Sequence, residues 1–553
     1  MIKGILKNYK DLIIKNNFIK FNQKLFNYRL NKPKSKILIE FNAFSYTHCY
    51  MSIIANYLVK KKSAELIAFN NYKLTAHSYE DNFIKKIKWI VGKFFKLNYF
   101  KIYSSFGVRD FIYPTKNDKN LLHAKKIKKK ILKSLKSKSD VLKIKIDKIL
   151  LGDLIYDGYL KFFSIETLDI NSYKFKKYLY EFILIYLYWK DYLIKNDVKC
   201  IIGVHGVYAY GIIYRIAFRK NIEVFTTMNG RIFKLDKNNQ FNNSEYKYFK
   251  KIFLKFTNKQ KKKLREVADI LIKKRMKGKI GKNIKELITT KSAFANSYNK
   301  KINILSKNKK IKILIATHQL GDACNFWGNN FFPDFYEWLK FLSKISKNTN
   351  YEWYIKDHPY YSDLKYAKSL DRTAELTKKI IKESNNLTHL PSNISHHQII
   401  NEKIDFVLTI YGTIAFEYAY FKVPVILGTR NCPTYNAKIN ISPSSTKEYK
   451  QILKNLENIK LKVKKNNVLD YFFMNYVYND YDIFFEKHSN FINKENKWDD
   501  YDTFKFYDYW VKNVNFKEIK KMHKTFNEFY ISKKHTVDLS HNKILFKKLF
   551  NSY

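Results

Sequence analysis

Short apolar runs alternate along this chain with longer stretches in which apolar positions recur every three or four residues, the pattern of strands and helices in turn. KILIEF (36–41) predicts a first strand. Helical spacing follows over 50–61, and AELIAF supplies a second apolar run. Runs that are apolar throughout suit strands buried on both faces, so the rhythm predicts a doubly wound parallel sheet. Residues 125–148, rich in Lys and Ile, carry helical spacing throughout. The greasiest stretch, Tyr178 to Ile194, is interrupted by Glu181, Lys190 and Asp191 and reads as a buried helix. DVKCIIGVHG (197–206) predicts a buried strand ending in a small-residue turn. A helix over 208–220 and the strand EVFTTMNG close the first unit.

Residues 236–305 are polar, Lys-rich and helical in pattern, without a strong strand. A second strand–helix series follows. It runs from a strand over 311–316 through the loop THQLGDACNFWGNN and the helix DFYEWLKFLSKI to the strands YEWYIKDHP, LTHLP, DFVLTI and VPVILGT. The helix TIAFEYAYF stands between the last two strands, and the tail from about 488 is aromatic and helical. The expected organisation is a basic helical segment (1–35), a Rossmann-like domain (36–235), a helical connector (236–305), a second Rossmann-like domain (306–490) and a helical tail (491–553). Ligands of open α/β sheets bind outside the carboxyl ends of strands. Two such sheets in succession therefore predict a cleft with one ligand on each wall.

Composition refines this picture. The 553 residues are too many for one ordinary core, and 46% hydrophobic residues suffice to fill two. The net charge is +57, carried by 105 Lys and Arg of which nine are Arg. Abundant Lys, Asn, Ile, Tyr and Phe beside scarce Gly, Pro and Ala is the imprint of an AT-rich genome, which places much of the charge on solvated faces. The functional reading of the same charge is attraction to an anionic membrane surface or anionic glycan. Specific nucleic-acid binding is not expected, because zinc-ligand spacing, an RNP motif and a recognition-helix signature are all missing from the sequence. Cys49, Cys200, Cys324 and Cys432 are isolated, which suits a reducing compartment. The first residues lack a secretory pattern. They read either as a capping helix or as a basic amphipathic helix lying on a membrane.

Candidate chemistry gathers at strand ends of the second unit. In DFVLTIYGTIAFEYAYFKVPVIL (405–427), the turn Tyr411-Gly412-Thr413 opens a helix. Free N–H groups there can bind phosphate, and Gly412 permits close approach. Thr413 can cap the helix or touch phosphate, and Glu417, one turn on, can accept from ribose hydroxyls. Lys356-Asp357-His358-Pro359 ends another strand and aims His358 at the ligand edge. His318-Gln319-Leu320-Gly321-Asp322 follows the first strand of this unit at the same edge. In the first unit, GDLIYDGYL (152–160) offers Asp153 and Asp157 as general bases, and His205 and His48 come next. Arg231 and Arg430, rare arginines just after strands, can clamp anionic groups.

These stretches resemble the capsule and surface-carbohydrate biosynthesis branch of the GT-B glycosyltransferases. The resemblance rests on the loop with His318 and Asp322, FPDFYEWL (332–339), KDHP (356–359) and LTIYGTIAFEYAYFKVPVI, and more thinly on GDLIYDGYL. Related sialyltransferases, Kdo transferases and CDP-glycerol glycerophosphotransferases pair an HP motif with a Ser/Thr-bearing helix start. The resemblance implies a two-domain GT-B fold. It implies His358 and Thr413 on the donor phosphate and Glu417 on the ribose, with His318, Gln319, Gly321, Asp322, Lys356, Pro359, Tyr411, Gly412 and Arg430 around the donor. The base would come from the first domain. No metal and no cofactor beyond a nucleotide-sugar donor, CMP-linked among the options, would be needed. One departure stands: these families often place two small hydroxyl residues at the turn, and Tyr411-Gly412-Thr413 supplies one.

The implied activity is inverting transfer of a sugar to a growing capsule or lipopolysaccharide-type glycan, the acceptor being a glycan or a lipid-linked glycan. The implied place is the cytoplasm, with peripheral contact to the inner face of the membrane. The competing readings are a CDP-glycerol-type glycerophosphotransferase, a nucleotide-sugar epimerase, and a non-catalytic scaffold that binds glycan or membrane. A catalytic protein requires His318, His358 and Thr413 to converge at a cleft.

Overall fold

The computed structural model describes residues 2–26, 33, 35–71, 74, 83–114, 118–228, 231–241, 244–277, 294, 302–328, 330–358, 373–384, 386–479, 505–541 and 546–547. The strands are β1 (Ser35–Phe41), β2 (Ala64–Asn70), β3 (Val108–Ile112), β4 (Lys145–Ile146), β5 (Ile149–Leu150), β6 (Val198–Gly203), β7 (Glu223–Met228), β8 (Arg231–Leu235), β9 (Lys312–Ala316), β10 (Glu352–Lys356), β11 (Leu387–Leu390), β12 (Phe406–Thr409) and β13 (Val425–Leu427). β1 shows why the sheet is covered on both sides. Ile37 and Ile39 enter one hydrophobic core, Leu38 enters the other, and all three are fully buried. A strand apolar on both faces needs helices above and below.

Two sheets result. The first has the order β3-β2-β1-β6-β7-β8 and the second β11-β10-β9-β12-β13. Every pair in the second sheet is parallel, as are all pairs in the first except β7–β8. In each sheet the chain winds outward from the first strand and then returns to its other side. The winding direction thus reverses between β1 and β6, and again between β9 and β12, the crevice where open α/β sheets take ligands. This is a GT-B-like fold: two mixed α/β, Rossmann-like sheets facing a cleft.

Two elements differ from the sequence expectation. The first sheet ends on an antiparallel strand, β8, rather than at β7. The residues between the two strands are Asn229-Gly230, the dipeptide favoured in two-residue hairpins. The helical pattern over 125–148 stops early: helices cover Asp118–Ser134 and Lys138–Val141, and β4 and β5 form a small hairpin. Its turn residues Asp147 and Lys148 adopt φ of 51° and 64°. The N-terminal helix Ile2–Leu25 is a wall of the first domain, with Phe18 and Ile19 buried and the Phe18 ring stacked on Tyr507 at 4.0 Å.

The connector contributes helices Ser244–Leu254 and Asn258–Met276, the second opened by a Thr257/Gln260 capping box. After the second sheet, helix Lys465–Phe473 runs into a π turn (Met474–Tyr478) tied to the first domain, because Arg231 donates to Asn475 O and Asn479 O. The tail helices Lys505–Asn513 and Phe516–Ile531 then pack on helix Ser45–Lys62 of the first domain. The chain beyond them seals the free edge of β8: Lys234 N–H donates to His535 O and Val537 N–H to Ile232 O. Among the described residues no helix is long and apolar enough to cross a membrane. Pro359 and the acidic cluster Asp499, Asp500 and Asp502 lie outside the described residues.

Candidate functional site

The site is built around the reversal point of the second sheet, where β9 and β12 end side by side. His318 leaves β9 and turns into the end of β12. Its Nε2 lies 3.1 Å from Thr409 Oγ1 and accepts from the amides of Ile410 (3.2 Å) and Tyr411 (3.3 Å). Accepting at Nε2 requires a neutral ring with its proton on Nδ1. Burial, and then the His358 charge, pulls its pKa down to about 3. The ring stacks on Phe335 at 4.7 Å. Thr409 Oγ1 in turn accepts from the Gly412 amide at 3.1 Å. A Cβ at Gly412 would stand 2.7 Å from that hydroxyl, so the glycine is required by the turn itself. His318 thus shapes the turn from beneath, and the amides of residues 410, 411 and 412 are bonded within the protein.

Thr413 begins the helix Ile414–Tyr420 with helical backbone angles and makes no capping bond. Its hydroxyl lies 3.3 Å from Arg275 Nη2. Arg275, at the end of the connector helix, is buried over the rings of Phe416 and Tyr476 and donates from Nε to Glu417 at 2.6 Å. Glu417, read from the sequence as a ribose acceptor, therefore has its carboxylate in a buried ion pair. At the end of β10, on the far side of β9, Lys356 is buried and donates to Ser392 O at 2.8 Å. Burial lowers its pKa to about 8 against the pull of Asp357. Asp357 bonds His389 at 2.8 Å through one oxygen, and its other oxygen is buried without a hydrogen bond. His358 is half-buried, near enough for its charge to act on His318. Arg430 is exposed at the surface, near Glu448.

The opposite wall comes from the first domain. Helix Gly152–Phe163 meets the loop that runs from Thr317 to Asp334, and the two are clasped by polar bonds. Asp157 accepts from the Asn325 amide and from Asn325 Nδ2, both at 2.8 Å. Tyr156 and Thr167 donate to Asp334 at 2.6 and 2.7 Å, and Tyr208 donates to Asp322 at 2.6 Å. Lys161 pairs with Asp322 at 3.0 Å. Gly321 comes so close to the first domain that a Cβ would be 3.1 Å from Ile165 O, and the Gln319 carbonyl accepts the Asp322 amide to turn the loop. Asp157 is fully enclosed, and burial first, then the charges of Asp153 and Asp322, push its pKa up to about 8.

Asp153, one helical turn before Asp157, is held by Arg215 in a buried pair at 2.6 Å. Arg215 itself lies over Phe241. Asp153, Asp157, Tyr208, Arg215 and Asn325 line a cavity of about 10 Å³ between the domains, room for one water. His205, just past the end of β6, is half-buried with its Nδ1 free of any hydrogen bond. Burial lowers its pKa against the attraction of Asp322. His48 leaves the candidate set, because it is fully buried between Tyr507 and Asn42 O and its pKa is pulled down to about 4 by burial. Among the described residues no cluster of three or more His, Cys, Asp or Glu could hold a metal ion.

The structure therefore brings His318, Tyr411, Gly412 and Thr413 together with His358 beside them. It places Asp157, Asp322 and Gly321 on the seam and leaves Arg430 apart. Asn325, Arg215, Tyr208 and Arg275 escape the sequence reading. Of these, Arg215 and Arg275 carry a visible sign, as two of nine arginines in a Lys-rich chain.

No family model matches this chain, and no curated protein matches it. Similar solved structures include a UDP-GlcNAc 2-epimerase from Neisseria meningitidis bound to UDP-GlcNAc. It is 10% identical, with 78% of this chain and 97% of that chain covered at a TM-score of 0.21. The Methanocaldococcus jannaschii UDP-GlcNAc 2-epimerase in complex with UDP-GlcNAc and UDP is likewise 10% identical, covering 79% and 97%, with a TM-score of 0.21. A glycosyltransferase from Rickettsia africae ESF-5 is 12% identical, covering 87% and 100%, with a TM-score of 0.24. At such scores these likenesses assign no residue and no reaction.

Proposed function

We propose that this chain acts on a nucleotide-activated sugar and transfers the sugar, with inversion and without a metal, to a bacterial capsule or lipopolysaccharide-type glycan. The observation that carries the reading is the seam. Two Rossmann-like sheets bring their ligand-binding edges together, with the His318–Thr409–Gly412 turn on one side and His205 beside helix Gly152–Phe163 on the other. The second domain holds the donor, with its diphosphate or phosphate toward the start of helix Ile414–Tyr420 and His358 toward the leaving oxygen. An acceptor hydroxyl attacks the anomeric carbon, the bond from that carbon to the phosphate oxygen breaks, and the hydroxyl proton passes to a first-domain base. His205 suits that role better than Asp153 or Asp157. Asp153 is paired with Arg215 and Asp157 is bonded to Asn325, whereas His205 Nδ1, buried at the seam, has no hydrogen-bond partner, and its lowered pKa holds the ring neutral at pH 7.

A panel of CMP-, UDP-, GDP- and CDP-linked donors, CDP-glycerol included, tests the reading first by binding and then by turnover on glycan acceptors. His205→Gln lowers kcat by about 10²–10⁴-fold while nucleotide affinity is retained. Turnover at the wild-type rate removes His205, and failure of every donor to bind removes the function. The near-closed seam favours a second reading, epimerisation of the nucleotide sugar itself, since a single small substrate is handled without access for a glycan. Conversion of the donor in the absence of any acceptor identifies that reaction.

A further inference from the structure

Helix Phe83–Phe94 of the first domain carries apolar residues outward as well as inward. It packs inward through Trp89, whose ring meets Phe41 and Phe100 edge-on, and through Gly92, where a Cβ would stand 2.5 Å from the Phe100 ring. Its outer stripe is apolar. Ile90, Val91 and Phe94 lie three, four and seven positions after Ile87, and Phe95 and Leu97 continue the stripe. Ile90 is 63% exposed, Phe94 79% and Phe95 65%. Exposed apolar residues are ordinary when scattered, but a contiguous stripe of this size marks a contact surface. The N-terminal helix extends it, since Leu12 shares a groove with Phe95 and Leu97, and Tyr9 and Ile13 are exposed beside Leu12.

The charge around the stripe is mostly positive, with Asp11 and Asp110 the acidic exceptions. Residues 83–105 contain six lysines and no acidic residue. Lys88, Lys96 and Lys101 are exposed, and Lys93 is paired with Asp110. The groove, about 430 Å³, is lined by Lys15, Lys96 and Lys101 with Asn16 and the apolar residues named above. Lys15 is held below its ordinary pKa by burial and by the like charge of Lys101, a tension that a bound anion relieves.

We propose that this face docks on an anionic bilayer. The stripe Ile90–Phe94–Phe95–Leu97 enters the boundary between head groups and acyl chains, and the groove between the N-terminal helix and residues 95–105 takes a lipid phosphate. Charge complementarity selects the occupant: a second copy of a chain carrying +57 would bring like charge to a rim of lysines, whereas an anionic head-group layer neutralises it. Residues 1–30 are not the anchor by themselves, because Ile14, Phe18 and Ile19 of that segment are committed to the core. The proposal stands apart from sugar transfer, and a chain without transferase activity would still dock.

Co-sedimentation of the full chain with vesicles of phosphatidylcholine, alone or mixed with phosphatidylglycerol, tests it. Binding is expected with the anionic mixture only. It falls as salt shortens the screening length below its ~8 Å physiological value. Phe94→Ser with Phe95→Ser lowers the partition about tenfold or more, and Lys96→Ala and Lys101→Ala each lower it about fivefold. All four side chains are exposed, so unfolding midpoints stay at the wild-type value. Equal binding to neutral and anionic vesicles overturns the proposal, as does wild-type binding by the Phe94/Phe95 variant. Sedimentation velocity covers the other occupant. A dimer that the Phe94/Phe95 variant dissociates, with vesicle binding unchanged, assigns the face to a second copy.

Discussion

Asp157 should make the stability of this protein depend on pH in a direction opposite to that of most acidic residues. Its carboxyl is 3% exposed on the seam, and its pKa rises from an ordinary 3.8 to about 8, burial being the largest cause. The folded chain therefore holds a proton that the unfolded chain has released. The stabilisation is complete below about pH 4 and is lost as pH climbs through 8. Within that window the slope approaches about 1.4 kcal/mol per pH unit, so between pH 5.5 and 7.5 the contribution falls by about 2.5 kcal/mol. Asp157→Asn removes the titration and keeps the shape. Like the protonated acid, the carboxamide has one carbonyl acceptor, but its NH2 would face the second donor of Asn325 where the acid presents a hydroxyl oxygen, so at pH 5.5 the variant should be less stable by about 1–3 kcal/mol. Urea unfolding of wild type and variant at matched pH isolates Asp157, because every other titrating group is common to both. The wild-type advantage should shrink as pH rises. A difference that stays constant from pH 5.5 to 7.5 refutes the assignment of a proton to this carboxyl.

Two other buried contacts give sharp expectations. Arg275→Met leaves Glu417 enclosed without its cation and should cost about 3–5 kcal/mol in urea unfolding, and adding Glu417→Gln should recover much of that loss, so strictly additive effects would contradict the pair. His318→Phe keeps a ring against Phe335 but removes the acceptor for two amides. It should cost about 2–4 kcal/mol and weaken nucleotide binding by calorimetry, and unchanged affinity would separate the turn from the donor site.

The parallel core was legible because β1, β6, β9 and β12 are apolar on both faces, a pattern that admits few alternatives to a covered parallel sheet. β4 and β5 were not, because the run KIKIDKIL alternates as a strand does while sitting in a stretch with helical spacing. His318 and Gly412 could be found since each lies a few residues past a strand, and strand ends share an edge. Their work could not, because the bond from His318 to the turn joins residues about ninety positions apart. Arg275 and Glu417 are 142 residues apart, and Asn325 and Asp157 are 168 apart. Local pattern names the type of each group but never its partner, so Glu417 read as an open acceptor when an arginine from the connector occupies it.

The first domain is completed by residues that follow the second. Tyr507 stacks on Phe18, Tyr530 donates to Glu223, and the strip from His535 to Val537 seals β8. The second domain is thus an insertion between two pieces of the first. At roughly 5–20 residues per second, synthesis leaves the opening piece waiting on the order of tens of seconds for its closing piece. During that interval the edge of β8 and the outer face of helix Ser45–Lys62 are bare, while β9 to β13 can already collapse as a contiguous unit. The first domain, though made first, can therefore be completed only after the tail has been synthesised.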